Sequence, residues 1–405
     1  MIQQKLKSFK FQRNASLYLK SIAMSSLAQG AYGVIQGLYI MSLGFDEAVL
    51  GTVLSMRMLA AAIASVPAGI VSDNKGRKPV LVAGGLLTTA GYLGMAVSSS
   101  PLNMIICSCI VGVAQACQMT SGAPLLAESS TKEERASLFG VNFSLSNFVN
   151  MIGSLLGGIL PRQLGWLGQA PAFRVSLVLF SAVTLAGALP AYKIKEEINP
   201  DTKASHAITI VRTEIQSLID VMRNKDVSGL LIYKMIIGFG AGLVVPFFNV
   251  FLSGKLQVDT AVVGLILSFS HGATALAGLI APSLASKYGK VKTVVGTQLV
   301  SIPFLLLIAI PPNIYLVSVA LFMRSALMNM SNPVASNFSM EIVEPNERGK
   351  VSSLIRISDN ISRSLSAAAA GYIMSRWNYE APYLLTAILY FAASVVYWKA
   401  FRGRE

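Results

Sequence analysis

The stretch Gly69-Ile70-Val71-Ser72-Asp73-Asn74-Lys75-Gly76-Arg77-Lys78 decides the fold. It is a short charged turn between two apolar runs, 48–72 and 79–98. Each run is close to the ~20 residues that cross a bilayer. Gly76 permits the tight turn, because glycine tolerates positive φ. A second turn has the same layout, Ser286-Lys287-Tyr288-Gly289-Lys290-Val291, with Gly289 lying 213 positions after Gly76. Glu128 and Arg135 bracket the turn after the fourth apolar run, and Glu341 and Arg348 bracket its counterpart, again 213 positions on. Three landmarks with one offset predict two related halves, arranged as parallel repeats about an axis along the membrane normal.

Outward from this turn, the apolar runs read 15–42, 48–72, 79–98, 101–127, 137–160 and 172–192, then 228–253, 261–285, 293–311, 314–340, 350–375 and 380–400. The fold expected is all-α and integral to the membrane, with twelve transmembrane helices in two pseudo-symmetric six-helix bundles. The first bundle is 1–192 and the second 227–405. Residues 193–226 form a cytoplasmic linker. Its later part puts Ile208, Val211, Ile215, Leu218, Ile219 and Met222 on one stripe, which predicts an amphipathic helix lying on the membrane face. That helix either tethers two moving halves or simply rests on lipid.

Composition points the same way. Hydrophobic residues make up 53% and charged residues only 13%, against about 25% charged in soluble domains. The net charge of +14 would suggest nucleic acid in a soluble chain. Its distribution excludes that. Of 33 Lys and Arg, 24 fall in the first twenty residues, in alternate turns, in the linker and at the C-terminus. The other set of turns holds only Arg162, Arg174, Lys255 and Arg376. By the positive-inside rule the rich set faces the cytoplasm, so a multi-pass protein of the cell's inner membrane is expected, with both termini cytoplasmic. The same charges grip anionic lipid. Cys107, Cys109 and Cys117 share one apolar run, and neighbouring helix positions do not form a good disulfide, so neither redox chemistry nor a metal is expected. The first run is too long for a signal peptide and contains Gln29 and Gln36.

The opening stretch resembles the G-x-x-x-D-x-x-G-R-K loop between helices 2 and 3 of the major facilitator superfamily. The resemblance covers the whole chain through helix count, central linker and repeat. It implies a cytoplasmic latch built from Gly69, Asp73, Gly76, Arg77, Glu128 and Arg135. In that latch Asp73 lies near the start of helix 11 and Arg77 bridges Asp73 and Glu128. A carboxylate gains from a helix N-terminus, and the guanidinium fork suits two carboxylates. The alternative is that the basic residues only mark the inner face. Glu341 and Arg348 would belong to the second copy, which is degenerate, with Ser286 in place of Asp73 and Lys290 in place of Arg77. Gly153-Ser154-Leu155-Leu156-Gly157-Gly158 resembles the glycine-rich helix-5 motif of the family's drug–proton antiporters, but lacks the proline before the last glycines. Its reading is a hinge and seal, or plain close helix contact. The antiporters' helix-4 arginine has no counterpart between Asn103 and Ala127.

Ionisable groups inside spans are costly and mark function. Five basic residues remain there: Arg57, Lys234, Arg324, Arg356 and Arg363. Against them stand one carboxylate, Asp359, and His271. Lys234 lies near a helix end and is expected to snorkel. Arg57 and Arg324 sit too deep for that and are expected to face a cavity. Arg356, Asp359 and Arg363 are spaced for one helix face. The 213 offset maps their helix onto Phe143, Ser146, Asn147 and Asn150, so one half's polar face is charged and the other's neutral. Gln29, Gln36, Gln115, Asn147, Asn150, Arg57, Arg324, Arg356 and Arg363 are therefore expected to bind substrate between the halves. Gln118 is expected beside Gln115. Asp359 and His271 are the proton-site candidates, with a static salt bridge and a packing histidine as their alternatives.

No metal-ligand cluster, nucleophile–base pair or ATP-binding loop of the G-x-x-x-x-G-K-[ST] kind is present, so an enzyme is not expected and no cofactor is implied. The expectation is a monomeric secondary active transporter working by alternating access. It would export a small amphipathic molecule, drug-like or lipid-like and with anions among the candidates, in exchange for protons. The alternative is uptake or exchange of a hydrophilic organic anion, which the basic excess inside the spans favours.

Overall fold

The computed structural model describes residues 12–196, 220–310, 313–344 and 347–404. Of the amphipathic stripe expected from Ile208 to Met222, all but Met222 lies outside these residues. Twelve long helices run through the described chain: α1 (Arg13–Ser42), α2 (Glu47–Lys75), α3 (Arg77–Val97), α4 (Pro101–Glu128), α5 (Lys132–Gln163), α6 (Gln169–Tyr192), α7 (Lys225–Val244), α8 (Thr260–Tyr288), α9 (Lys290–Ala309), α10 (Ile314–Glu341), α11 (Arg348–Arg376) and α12 (Ala381–Phe401). Among the described residues there is no strand.

Local chemistry sets the helix ends. Asp46 caps α2 by accepting from the Val49 amide at 3.0 Å, and Asp259 caps α8 through the Ala261 amide at 2.9 Å. A side-chain oxygen at this position satisfies one of the free amides of the first turn. The α2–α3 and α8–α9 turns are each a single glycine, Gly76 at φ +96° and Gly289 at φ +86°, a conformation a Cβ would strain. Glu196, at the start of the linker, accepts from the backbone amides of Arg77 and Lys78 and so caps α3 from outside. Asn14 and Lys195 exchange two hydrogen bonds, tying the same segment to α1.

Ten of the twelve helices are apolar and long enough to cross a membrane by composition alone. The exceptions are α1 and α11. Both carry polar residues in mid-helix, Gln29 and Gln36 in one and Arg356, Asp359, Asn360 and Arg363 in the other. In lipid such helices turn their polar side chains inward.

Each half packs in one pattern. In the first, α2 lies on α4, α3 on α4 and α6, and α1 on α5 and α6; in the second, α8 lies on α10, α9 on α10 and α12, and α7 on α11 and α12. The halves meet chiefly through two crossings, α2 on α11 and α5 on α8. One helix departs from the expected pattern. After Val244, α7 tightens into a 3-10 turn at Val245–Phe247, then loosens into a π turn at Phe251–Lys255. Pro246 has no amide to donate and breaks the hydrogen-bond ladder there. The break turns Phe248 and Asn249 toward the seam between the halves.

Candidate substrate cavity and its seals

At the seam lies a cavity of about 480 Å³ walled by both halves. From the first half come Gln29, Gln36, Arg57, Gln115, Asn147 and Asn150. From the second come Asn249, Ser270, His271, Thr274, Arg324 and Asn329. Arg57 Nη1 donates to Gln36 Oε1 at 3.2 Å. Arg324 is only 4% exposed and donates to the Tyr390 hydroxyl at 2.7 Å. Its guanidinium lies over the rings of Phe248 at 5.3 Å and Tyr390 at 5.8 Å. Among the described residues no carboxylate lines the cavity or ion-pairs with Arg57 or Arg324.

Two of the expected binding residues stand elsewhere. Arg363 is absent from the lining, and its Nε donates to Asp359 Oδ2 at 2.7 Å one turn away. Arg356 lines a separate gap on the side of the basic turns. The cause is the rotation of α11. Ser364, Ala367 and Gly371 take the face against α2, which leaves Asp359 and Arg363 against Gly238 and Gly242 of α7. Lys234 does not simply reach for the interface but lies within electrostatic range of Asp359 and Arg363. Gln118 also points away from the cavity, donating to Thr88 Oγ1 at 3.0 Å.

The side away from the basic turns is sealed by glycine. A Cβ on Gly51 would stand 2.6 Å from the Ala367 carbonyl and one on Gly371 2.3 Å from that of Glu47. A Cβ on Gly158 would stand 2.6 Å from the Thr260 carbonyl and one on Gly264 2.7 Å from that of Ser154. These are backbone atoms, so the α2–α11 and α5–α8 crossings close only without side chains at these points. Around them Ser55 and Ser364 share a hydrogen bond at 3.0 Å, Tyr379 bonds Glu47, and Arg162 reaches Asp259 at 3.6 Å. Asn249 Nδ2 crosses the seam to the carbonyls of Gly33 and Val34, at 3.2 and 2.9 Å.

The opposite side is open. A gap of about 770 Å³ separates α2 and α4 from α11. Gly69, Asp73, Thr120, Lys350, Ser353 and Arg356 face it. Arg77 ion-pairs with Asp73 within its own half, and its Nε lies 3.4 Å from Glu128 Oε1. Arg135 stays outside that network and donates to the Ala127 carbonyl at 3.0 Å. In the second copy Lys290 ion-pairs with Glu341, so the degenerate motif keeps its bridge. Arg348 is the first residue of α11.

Sequence reading passed over Asn249, Tyr32, Tyr92, Thr274 and Asn329, all of which line the cavity. Asn249 was findable, because it lies 213 positions after Gln36. The two aromatic residues read as packing, and their rings do stack at 3.9 Å.

Two helical bundles of identical plan, joined at glycine crossings over a polar cavity, now meet an independent finding. The family model of the Major Facilitator Superfamily matches residues 21–225 and 230–405. The chain belongs to that superfamily. It is therefore a multi-pass membrane transporter of a small molecule and not an enzyme. An uncharacterised superfamily transporter of Methanocaldococcus jannaschii is 18% identical, over 96% of this chain and 98% of its own. The multidrug resistance protein MdtG of Proteus mirabilis is 22% identical, over 87% and 85%. The crystal structure of the nucleoside transporter NupG superposes with a TM-score of 0.78 at 16% identity, covering 96% of this chain and 99% of that one.

Proposed function

We propose that this superfamily member is a secondary active transporter that exports a small amphipathic molecule by alternating access, driven by protons. One observation carries the reading. The cavity lies on the seam, sealed by glycine crossings on one face, while a gap stands between the halves on the other. Rocking the halves about the seam would open the sealed face and close the gap. The similarity to MdtG supports export of amphipathic compounds. By the positive-inside rule, the basic turns support an orientation with the open face and both termini in the cytoplasm and the protein in the inner membrane. No carboxylate lies in the middle of a first-half span. Asp359, held by Arg363, and His271, in the cavity wall, are therefore the groups proposed to exchange protons.

A second reading, uptake or exchange of a hydrophilic organic anion, is favoured by Arg57 and Arg324 in the cavity. Purified protein in liposomes separates the two. Export predicts that a pH gradient drives an amphipathic dye uphill in the direction opposite to proton flow. Accumulation of the dye with the proton flow overturns the antiport reading, and absence of any flux above empty liposomes overturns both. External thiol labelling near Gln257 but not at Asn74 is expected for the proposed orientation.

A further inference from the structure

We infer that the cavity takes a small organic acid, its negative group seated between α1 and α10 and its apolar body against α2 and α8. The inference rests on the transporter reading and names the chemistry of its substrate. It begins from three buried atoms without a hydrogen-bond partner: Arg324 Nε, Gln36 Nε2 and the Tyr32 hydroxyl. Their residues are 4%, 3% and 2% exposed, and all three line the cavity. A buried polar group left unpaired is penalised by its lost hydration, and these three, closed off from the open space as it stands, gain a partner when their side chains turn to meet a ligand.

The sign of that ligand follows from the hydrogen-bonding inventory. Arg324 Nε can only donate. Gln36 is oriented by Arg57, whose Nη1 must meet the amide oxygen and not the amide nitrogen. The Gln36 Nε2 group is thereby left as a donor. The tyrosine hydroxyl donates or accepts. A ligand with acceptor oxygens satisfies all three, and a cation satisfies none of the first two. The guanidinium of Arg324 is stacked by Phe248 and Tyr390, which hold its plane without neutralising its charge. With Arg57 also facing the cavity and no described carboxylate in its wall, two positive charges await compensation. Buried charge is stable only when paired.

One part of the wall suits the ligand's body, since Leu50 and Leu54 of α2, Leu267 of α8, and Pro246 and Phe248 beyond α7 are apolar. A volume of about 480 Å³ falls in the range of small-molecule sites. A sugar, hydroxylated all round, would leave this apolar side poorly matched. A carboxylate on a compact apolar frame fits both sides.

Benzoate is the test probe, with benzamide as its neutral counterpart and tetraphenylphosphonium as an apolar cation. Thermal unfolding of the purified full-length protein reads binding, because a ligand of the folded state raises the melting temperature by mass action. Benzoate should raise it saturably, and benzamide at equal concentration should not. Gln36→Glu replaces the free donor by an acceptor while giving Arg57 a carboxylate partner, so the fold is kept. Benzoate affinity should fall at least tenfold in this variant, and likewise in Arg324→Gln. Equal shifts with benzamide, or unchanged benzoate affinity in Gln36→Glu, overturn the inference. So does a shift with tetraphenylphosphonium alone, and in that case dye flux in liposomes persists and the transporter reading stands. Loss of both benzoate binding and dye flux in the unmodified protein sinks the two together.

Discussion

The two halves share their backbone devices and differ in their charges. Gly51 and Gly264 lie 213 positions apart, as do Gly158 and Gly371 and the turn glycines Gly76 and Gly289. Each crossing thus pairs one member of the first set with one of the second, and the seal is the same contact made twice. The capping residues Asp46 and Asp259 repeat at the same offset. The polar side chains do not repeat. Asp73 becomes Ser286, Ser146 becomes Asp359 and Asn150 becomes Arg363. A position where backbones touch tolerates only glycine in either half. A charge needs only one partner, and either half can supply it. Packing therefore preserves the repeat, and chemistry breaks it.

The sharpest way to break this comparison is to load the crossings. Gly51→Ala and Gly264→Ala each push a methyl against backbone that has no rotamer to yield. Overpacking of this kind costs about 1–3 kcal/mol, here borne by the sealed arrangement alone. Both variants should make an engineered cysteine at Thr274 roughly 5- to 100-fold more reactive from the sealed face, by equal amounts. Equal inertness would show that the crossings are not the seal. A response in one variant only would show that the two contacts are not equivalent.

Asp359 is where the halves diverge most, since its counterpart is Ser146. Under the proton-coupling proposal, Asp359→Asn abolishes accumulation driven by a pH gradient, while downhill exchange survives. Melting temperature should change little, because Arg363 keeps a hydrogen-bond acceptor at the same place. Continued pH-driven accumulation would pass the role to His271, which faces the cavity itself.

The helices were legible because membrane spans are written in long apolar runs; eleven of the twelve follow the runs to within about five residues, and α7 stops at Val244, nine residues short of the end of its run. The cavity-facing Gln29, Gln36, Arg57 and Arg324 were legible because a polar group deep in a span has few places to go. The rotation of α11 was not legible. Residues 356, 359 and 363 fit one helical face, but which neighbour that face meets is set by Gly371 and Ser364 packing on α2. The break in α7 was hidden for a similar reason. Pro246 signals a weak ladder, but it does not tell that 3-10 and π turns follow or that Asn249 then meets the carbonyls of α1.

The latch offers a milder test. Asp73 and Arg77 pair inside the first half, and the Asp73 side chain is 66% exposed toward the gap. An exposed pair is worth at most about 1 kcal/mol, so its loss should shift conformational populations only a few-fold. Asp73→Asn should deplete the state in which the gap is closed, seen as longer distances between spin labels at Asn74 and Gly349. Lys290→Ala, in the copy without the aspartate, should shift them less. An unchanged distribution with intact transport would leave the motif as a topology marker.

The smallest effect belongs to a pair that only the second half has. Lys255 ion-pairs with Glu380 beside the first turn of α12, whereas the equivalent positions 213 earlier are Ser42 and Leu167. The hydrogen bond from Lys255 holds the Glu380 carboxyl below its ordinary value. A carboxyl depressed in the folded state adds stability that is present above the unfolded value of about 4.3 and is lost as pH falls through the folded value. Glu380 is 37% exposed, so solvent screens most of the gain. Glu380→Gln should therefore destabilise by less than about 1 kcal/mol at pH 7. The difference in melting temperature from the unmodified protein should stay level from pH 8 to about 5 and fall away as pH drops below about 4.3 and through the lower folded value. A difference that persists at pH 3 would assign the effect to packing around Phe251 and Tyr379, and the charge would then add nothing to the asymmetry between the halves.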